Sequence, residues 1–166
     1  MTQRMILDKN TIENEFRQYK TLKLKADEMK IELSMLRDER KHNRDDLIET
    51  AVFMRPTMGN GGKNGRISDK TAAAAINLPI DAQIKAMQFE LDAILRRVRR
   101  VESWLNALRF RERKIITMLY IDGMSWGELV YAYNQAPVDG IMREQQTFKR
   151  WRNSAIDMIY NQLKSW

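Results

Sequence analysis

The sequence predicts an all-α protein: a long antiparallel helical hairpin of coiled-coil type, followed by a C-terminal helix-turn-helix domain. Three observations predict it. Glycine and proline are scarce, 7 and 3 among 166 residues, whereas Lys, Arg, Glu, Leu, Met and Ala, all good helix formers, are common. Two long stretches repeat apolar residues at seven-residue steps, the signature of paired helices. The last third breaks into short amphipathic segments separated by turn residues. The expected division is 1–108 for the hairpin, with a flexible loop at 55–67, and 109–166 for the C-terminal domain.

The first helix is expected from about Asp8 to Met54. Ile12, Tyr19, Ala26, Leu33, Leu47 and Met54 fill one seam position. Leu22, Met29 and Leu36 fill the other, and the seam turns polar at Arg40 and Asn43. Pro56 cannot continue a helix, and Gly59, Gly61, Gly62 and Gly65 raise the entropic cost of ordering the backbone. Ser68 offers an N-cap for an Ala-rich helix, Asp69 to Asn77. Pro79 either kinks that helix or opens the next one as a first-turn residue. Beyond it the seam is wholly apolar: Ile84, Leu91, Val98 and Leu105, interleaved with Ile80, Met87, Ile94, Val101 and Leu108. The two arms match in length, roughly 60 to 70 Å at about 1.5 Å per residue. That match favours pairing within the chain, with pairing between chains, a homodimer, left open.

The C-terminal segment begins with a helix over Arg111 to Tyr120, then a turn over Ile121 to Met124. Ser125 and Glu128, three residues apart, form a capping box for a second helix running to Tyr133. A turn of nine residues from Asn134 to Met142, with Pro137 and Gly140, precedes a last helix opening at Gln145. Ile115, Ile116, Leu119 and Tyr120 form one apolar face, and Leu129, Val130 and Tyr133 a second. Phe148, Trp151, Ala155, Ile156 and Ile159 form the third, at helical spacing. On this division the segment 109–166 folds by itself.

Charge narrows the partners. A net charge of +7 and an isoelectric point near 9.7 favour a polyanion, most often nucleic acid. There is no Cys, which excludes disulfides and thiolate metal sites. No apolar run reaches membrane-spanning length, and Met1 to Lys9 lacks the apolar stretch of a signal peptide. A reducing cytoplasm fits the lack of Cys.

The run Arg111-Glu112-Arg113 through Ile121-Asp122-Gly123, then Ser125-Trp126-Gly127-Glu128-Leu129, resembles region four of bacterial sigma factors. The basic last helix ending Ala155-Ile156-Asp157-Met158-Ile159 extends the likeness. With the preceding hairpin and Arg66-Ile67-Ser68-Asp69-Lys70 between its arms, the chain is similar to phage and prophage transcription regulators with a sigma-like C-terminal domain, the late-gene activators of the ArpU and RinA type. The resemblance covers the C-terminal third, and the hairpin only as an architecture. Two departures stand out: Val130 replaces the small Ala usual after Leu129, and the nine-residue turn exceeds the usual three or four.

The resemblance implies that the last helix enters the major groove of double-stranded DNA. Gln145, Gln146, Thr147, Lys149 and Arg150 would then face bases, Gln suiting adenine and Arg guanine. Ser125, Trp126, Arg143 and Arg152 would touch phosphates, which position without specifying. RNA polymerase is the protein partner it suggests for the hairpin. A sequence-specific regulator without enzymatic activity or cofactor is the expectation. The alternative is a DNA-recognition subunit of the phage packaging machinery, akin to a small terminase. A coiled-coil adaptor with no DNA role is the third reading.

Other signals carry less chemistry. Gly59-Asn60-Gly61-Gly62-Lys63-Asn64-Gly65 looks like a phosphate loop but lacks the Ser or Thr after Lys63 that would hold Mg²⁺. His42, beside Asp45 and Asp46, is the sole His, too few for a metal site or a hydrolytic triad. Arg96, Arg97, Arg99 and Arg100 either extend a phosphate-binding surface or are outer positions of a coil.

Overall fold

A computed structural model describes residues 8–53, 69–137 and 139–164. Five α-helices account for almost all of them: α1 (Lys9–Phe53), α2 (Asp69–Ala107), α3 (Phe110–Ile116), α4 (Trp126–Gln135) and α5 (Gln145–Lys164). A π-helical turn, Thr117–Ile121, continues α3, and no strand occurs among the described residues. No described helix is long and apolar enough to cross a membrane. The expected loop at 55–67, its phosphate-loop lookalike and the Ser68 cap lie outside the described residues. Pro79 falls inside α2, so it does not open a new helix; it removes one intrahelical donor.

The chain divides into two compact units, Lys25–Ala93 and a second formed by Met1–Leu24 with Ile94–Trp166. In the Lys25–Ala93 unit α1 and α2 run antiparallel. Lys25 Nζ meets Glu90 at 2.6 Å, and further along α1 Arg40 Nε meets Asp81 at 2.8 Å. Ala26, Met29 and Leu33 are buried on α1, and Ile80, Ile84 and Leu91 on α2, all at expected seam positions. Where the α1 seam turns polar, Arg40 is exposed and takes an acidic partner instead of packing. Leu91→Asp should cost roughly 3 kcal/mol or more, since a packed Leu is lost and a carboxylate is desolvated. Thermal melting followed by circular dichroism would read this as a large drop in midpoint; an unchanged melt would show that the seam is not a dry one.

The other unit corrects the expected boundary at 108/109. Ile12 and Phe16 of α1, and Val101, Trp104 and Leu108 of α2, share one core with Ile116, Tyr120, Ala155, Ile156 and Ile159. Phe16 lies at its centre, edge-on to Trp104 at 5.9 Å and stacked on Tyr120 at 6.0 Å. The helical arms therefore supply half of a core that seam periodicity assigned to the C-terminal helices alone. Polar contacts reinforce it. Arg97 donates twice to the buried Glu15 carboxylate, at 2.9 and 3.1 Å, so this arginine of the basic run is a helix-pairing residue. Arg152 bridges Glu13 and the Tyr120 hydroxyl. Arg113 caps the end of α2, donating to the carbonyls of Asn106 and Leu108 at 3.1 and 3.2 Å, as cations do at helix C-termini.

Adjacent residues of α3 serve different cores. Ile116 joins the core just described, whereas Ile115 joins Met118, Leu129, Tyr133 and Phe148 in a second one. α5 likewise gives Phe148 to the second core and Ala155, Ile156 and Ile159 to the first. Glu112, buried at the start of α3, accepts the Arg109 backbone N–H and the Ser154 hydroxyl, tying α3 to α5.

Candidate nucleic-acid interface

The segment from the π-helical turn to α5 is shaped by three local devices. Gly123, at φ +71°, reverses the chain, and the Met124 N–H returns to the Met118 carbonyl at 3.0 Å. Only glycine enters that left-handed conformation without strain. Ser125 then caps α4. Its hydroxyl accepts the Glu128 N–H at 3.3 Å, and the Glu128 carboxylate accepts the Ser125 N–H at 2.8 Å. That backbone hydrogen bond holds the Glu128 carboxyl below its usual range.

The third device pins the long turn. The Asn134 side chain forms a two-way clasp with the Arg143 backbone, donating to its carbonyl at 2.9 Å and accepting its N–H at 2.8 Å. Between them Gly140, at φ +72°, donates to the Pro137 carbonyl at 3.1 Å. Asp139 then reaches back to two arginines: its Oδ2 lies 2.6 Å from Arg143 Nη2 and 3.1 Å from Arg111 Nη2. The hydrogen bond from Arg143 is the main reason its carboxyl sits below the usual range. The expected turn of Asn134 to Met142 shortens at its start, because Asn134 and Gln135 belong to α4.

α5 emerges with a fixed rotation. Phe148 and Tyr133 are each 0 % exposed, with ring centroids 4.9 Å apart, and Trp151 packs 5.7 Å from Phe148. With that face inward, Gln145, Gln146, Lys149 and Arg150 are exposed and Thr147 is half-buried. Lys149 lies 5.9 Å from the centre of the Trp126 ring, a cation–π contact between α5 and the start of α4.

The nine expected contact residues thus divide. Gln145, Gln146, Lys149, Arg150 and Ser125 stand exposed, and Thr147 is half-buried. Trp126 packs partly against the second core, with its ring beneath Lys149. Arg143 is directed to Asp139. Arg152 departs most from expectation: its guanidinium is engaged by Glu13 and Tyr120, so it ties α5 to α1 and remains only part-exposed. Sequence reasoning missed Asn134, Asp139, Arg111 and Lys114. Lys114 Nζ sits 4.7 Å from the Tyr133 ring centre. Nothing in local periodicity marks such residues, because their partners come from other elements.

Comparison with protein-family models, curated proteins and solved structures finds no match to this chain. The site's own chemistry therefore carries the functional argument. It offers amide and guanidinium donors on one helix face, set among cations, with no acidic side chain between Gln145 and Ser154.

Proposed function

We propose that the chain is a sequence-specific DNA-binding regulator of phage or prophage transcription, acting without a cofactor in a bacterial host. On this reading α4 and α5 form a helix-turn-helix, and α5 enters the major groove of double-stranded DNA. The carrying observation is the phase of α5: buried Phe148 sits between two exposed pairs, Gln145–Gln146 and Lys149–Arg150. Gln146 and Arg150, four residues apart, lie on one face and offer the bidentate groups that suit adenine and guanine edges, a donor and an acceptor from Gln and two donors from Arg. Lys149 and the exposed Ser125 suit phosphates. Arg152 is left out of the contact set because its guanidinium is engaged by Glu13 and Tyr120. The antiparallel arms are read as a coiled coil that pairs with a second copy or contacts RNA polymerase.

Selection of bound duplexes from a random pool by the full chain tests this directly. Recovery of one enriched motif is expected; recovery of none, with no binding even at low salt, defeats the reading. On the selected site, Arg150→Ala and Gln146→Ala should each cost about 1–3 kcal/mol, and much less on random DNA. Equal losses on both kinds of DNA would make these residues phosphate contacts instead.

A further inference from the structure

We infer that Arg111 and Arg143 form a phosphodiester seat beside the first turn of α5, and that the Asp139 carboxylate occupies this seat when DNA is absent. The inference rests on the DNA reading above and names the contact that flanks the base-reading face.

Two guanidiniums converge here on a single anion. Arg111 and Arg143 each lie over the Trp151 ring, 5.7 and 5.8 Å from its centre, and both reach the same Asp139 oxygen. Two like charges held against one ring repel unless an anion lies between them. Asp139 supplies one negative charge for two positive ones, so the cluster keeps a cationic excess. Its other oxygen is turned to the Ile141 N–H, 3.3 Å away, leaving a single oxygen for two arginines. A phosphodiester presents two non-bridging oxygens and matches guanidinium forks bidentately. Donor capacity is also left over: Arg143 Nε has no hydrogen-bond partner.

The geometry also separates seat from occupant. Arg143 is held through its backbone by the Asn134 clasp, and Trp151 by packing on Phe148. Neither hold involves the Asp139 side chain. Withdrawal of the carboxylate would therefore leave Arg143 in place at the start of α5. Exchange of a tethered carboxylate for a DNA phosphate makes binding weaker than an open seat would give. It also penalises polyanions that do not place a phosphate at this point.

The test uses the full chain and the duplex recovered by selection. Asp139→Asn is isosteric and leaves the clasp intact; Asp139→Ser substitutes if Asn disturbs the turn. Freed of its occupant, the seat should bind the duplex roughly five- to tenfold tighter, with a salt dependence steeper by about one unit. Glu144→Gln, an exposed neighbour, makes the same change in net charge and should shift affinity by less than about twofold. Arg111→Gln should be nearly neutral alone but should cancel the gain when added to Asp139→Asn. Equal effects of Asp139→Asn and Glu144→Gln overturn the proposal. So does an Arg111→Gln effect that is the same in both backgrounds, or weaker binding by a folded Asp139→Asn variant. If wild type binds its duplex and these comparisons fail, the seat alone is refuted. If no variant binds any duplex at low salt, the DNA reading falls and the seat with it.

Discussion

Residues 109–166 expressed alone are expected not to fold. Ile116, Tyr120, Ala155, Ile156 and Ile159 are buried only together with Ile12, Phe16, Val101, Trp104 and Leu108. Truncation removes those five partners, each a large apolar side chain worth about 1.5–3 kcal/mol on burial. Their combined loss, on the order of 10 kcal/mol, matches the whole stability of a typical domain. It also strands Arg152 without Glu13 and Asp157 without Lys9. Circular dichroism should show reduced helicity and no cooperative melt. A chain joining 1–24 to 94–166 through a Gly-Ser linker restores every member of the core and should melt cooperatively. A cooperative transition in 109–166 itself would show that the second core suffices.

The largest single-residue effect is expected at Phe148. Phe148→Ala empties the centre of the second core, where the ring meets Tyr133 and Trp151. A fully buried Phe replaced by Ala costs about 3–5 kcal/mol, transfer and cavity terms together. Chemical denaturation should show the midpoint falling with little change in slope, and, on the function proposed above, DNA binding should weaken with the fold. Gln146→Ala is the control: the residue is exposed, so its stability should stay within about 0.5 kcal/mol of wild type. A Phe148→Ala protein of wild-type stability would mean that the rotation of α5 described above is wrong.

Local pattern carried much of this fold. The seam residues Ala26, Leu33, Ile80, Ile84, Leu91, Val98 and Val101 are all buried where seven-residue spacing put them, because burial along paired helices repeats with the helix itself. The capping box at Ser125 was legible for the same reason: both partners lie within one turn. What local pattern could not show was the joint core. Phe16 and Trp104 stand off the expected seam, and their burial depends on Tyr120 and Ile156 arriving from distant parts of the chain. The contact of Arg152 with α1 was hidden likewise, since a cation on a basic helix looks free until Glu13 is placed beside it. Of the candidate interface, the exposed faces of Gln146 and Arg150 followed from the position of Phe148. The Asp139 contacts did not, because a turn residue reaching Arg111 leaves no periodic trace.

The joint core also sets an order of events during synthesis. Ile12 and Phe16 emerge from the ribosome well over a hundred residues before Ile156 and Ile159, against which they pack. Until then Ile12 and Phe16 have only the α2 residues Val101, Trp104 and Leu108 and the α3 side of their core against them, and full closure must await contacts of very large sequence separation, the kind that slows folding. The paired stretch around Lys25 and Glu90 is complete earlier and can hold the arms together meanwhile. Nascent chains arrested before α5 should therefore be helical but sticky and protease-sensitive at the start of α1, with protection appearing only once α5 is released.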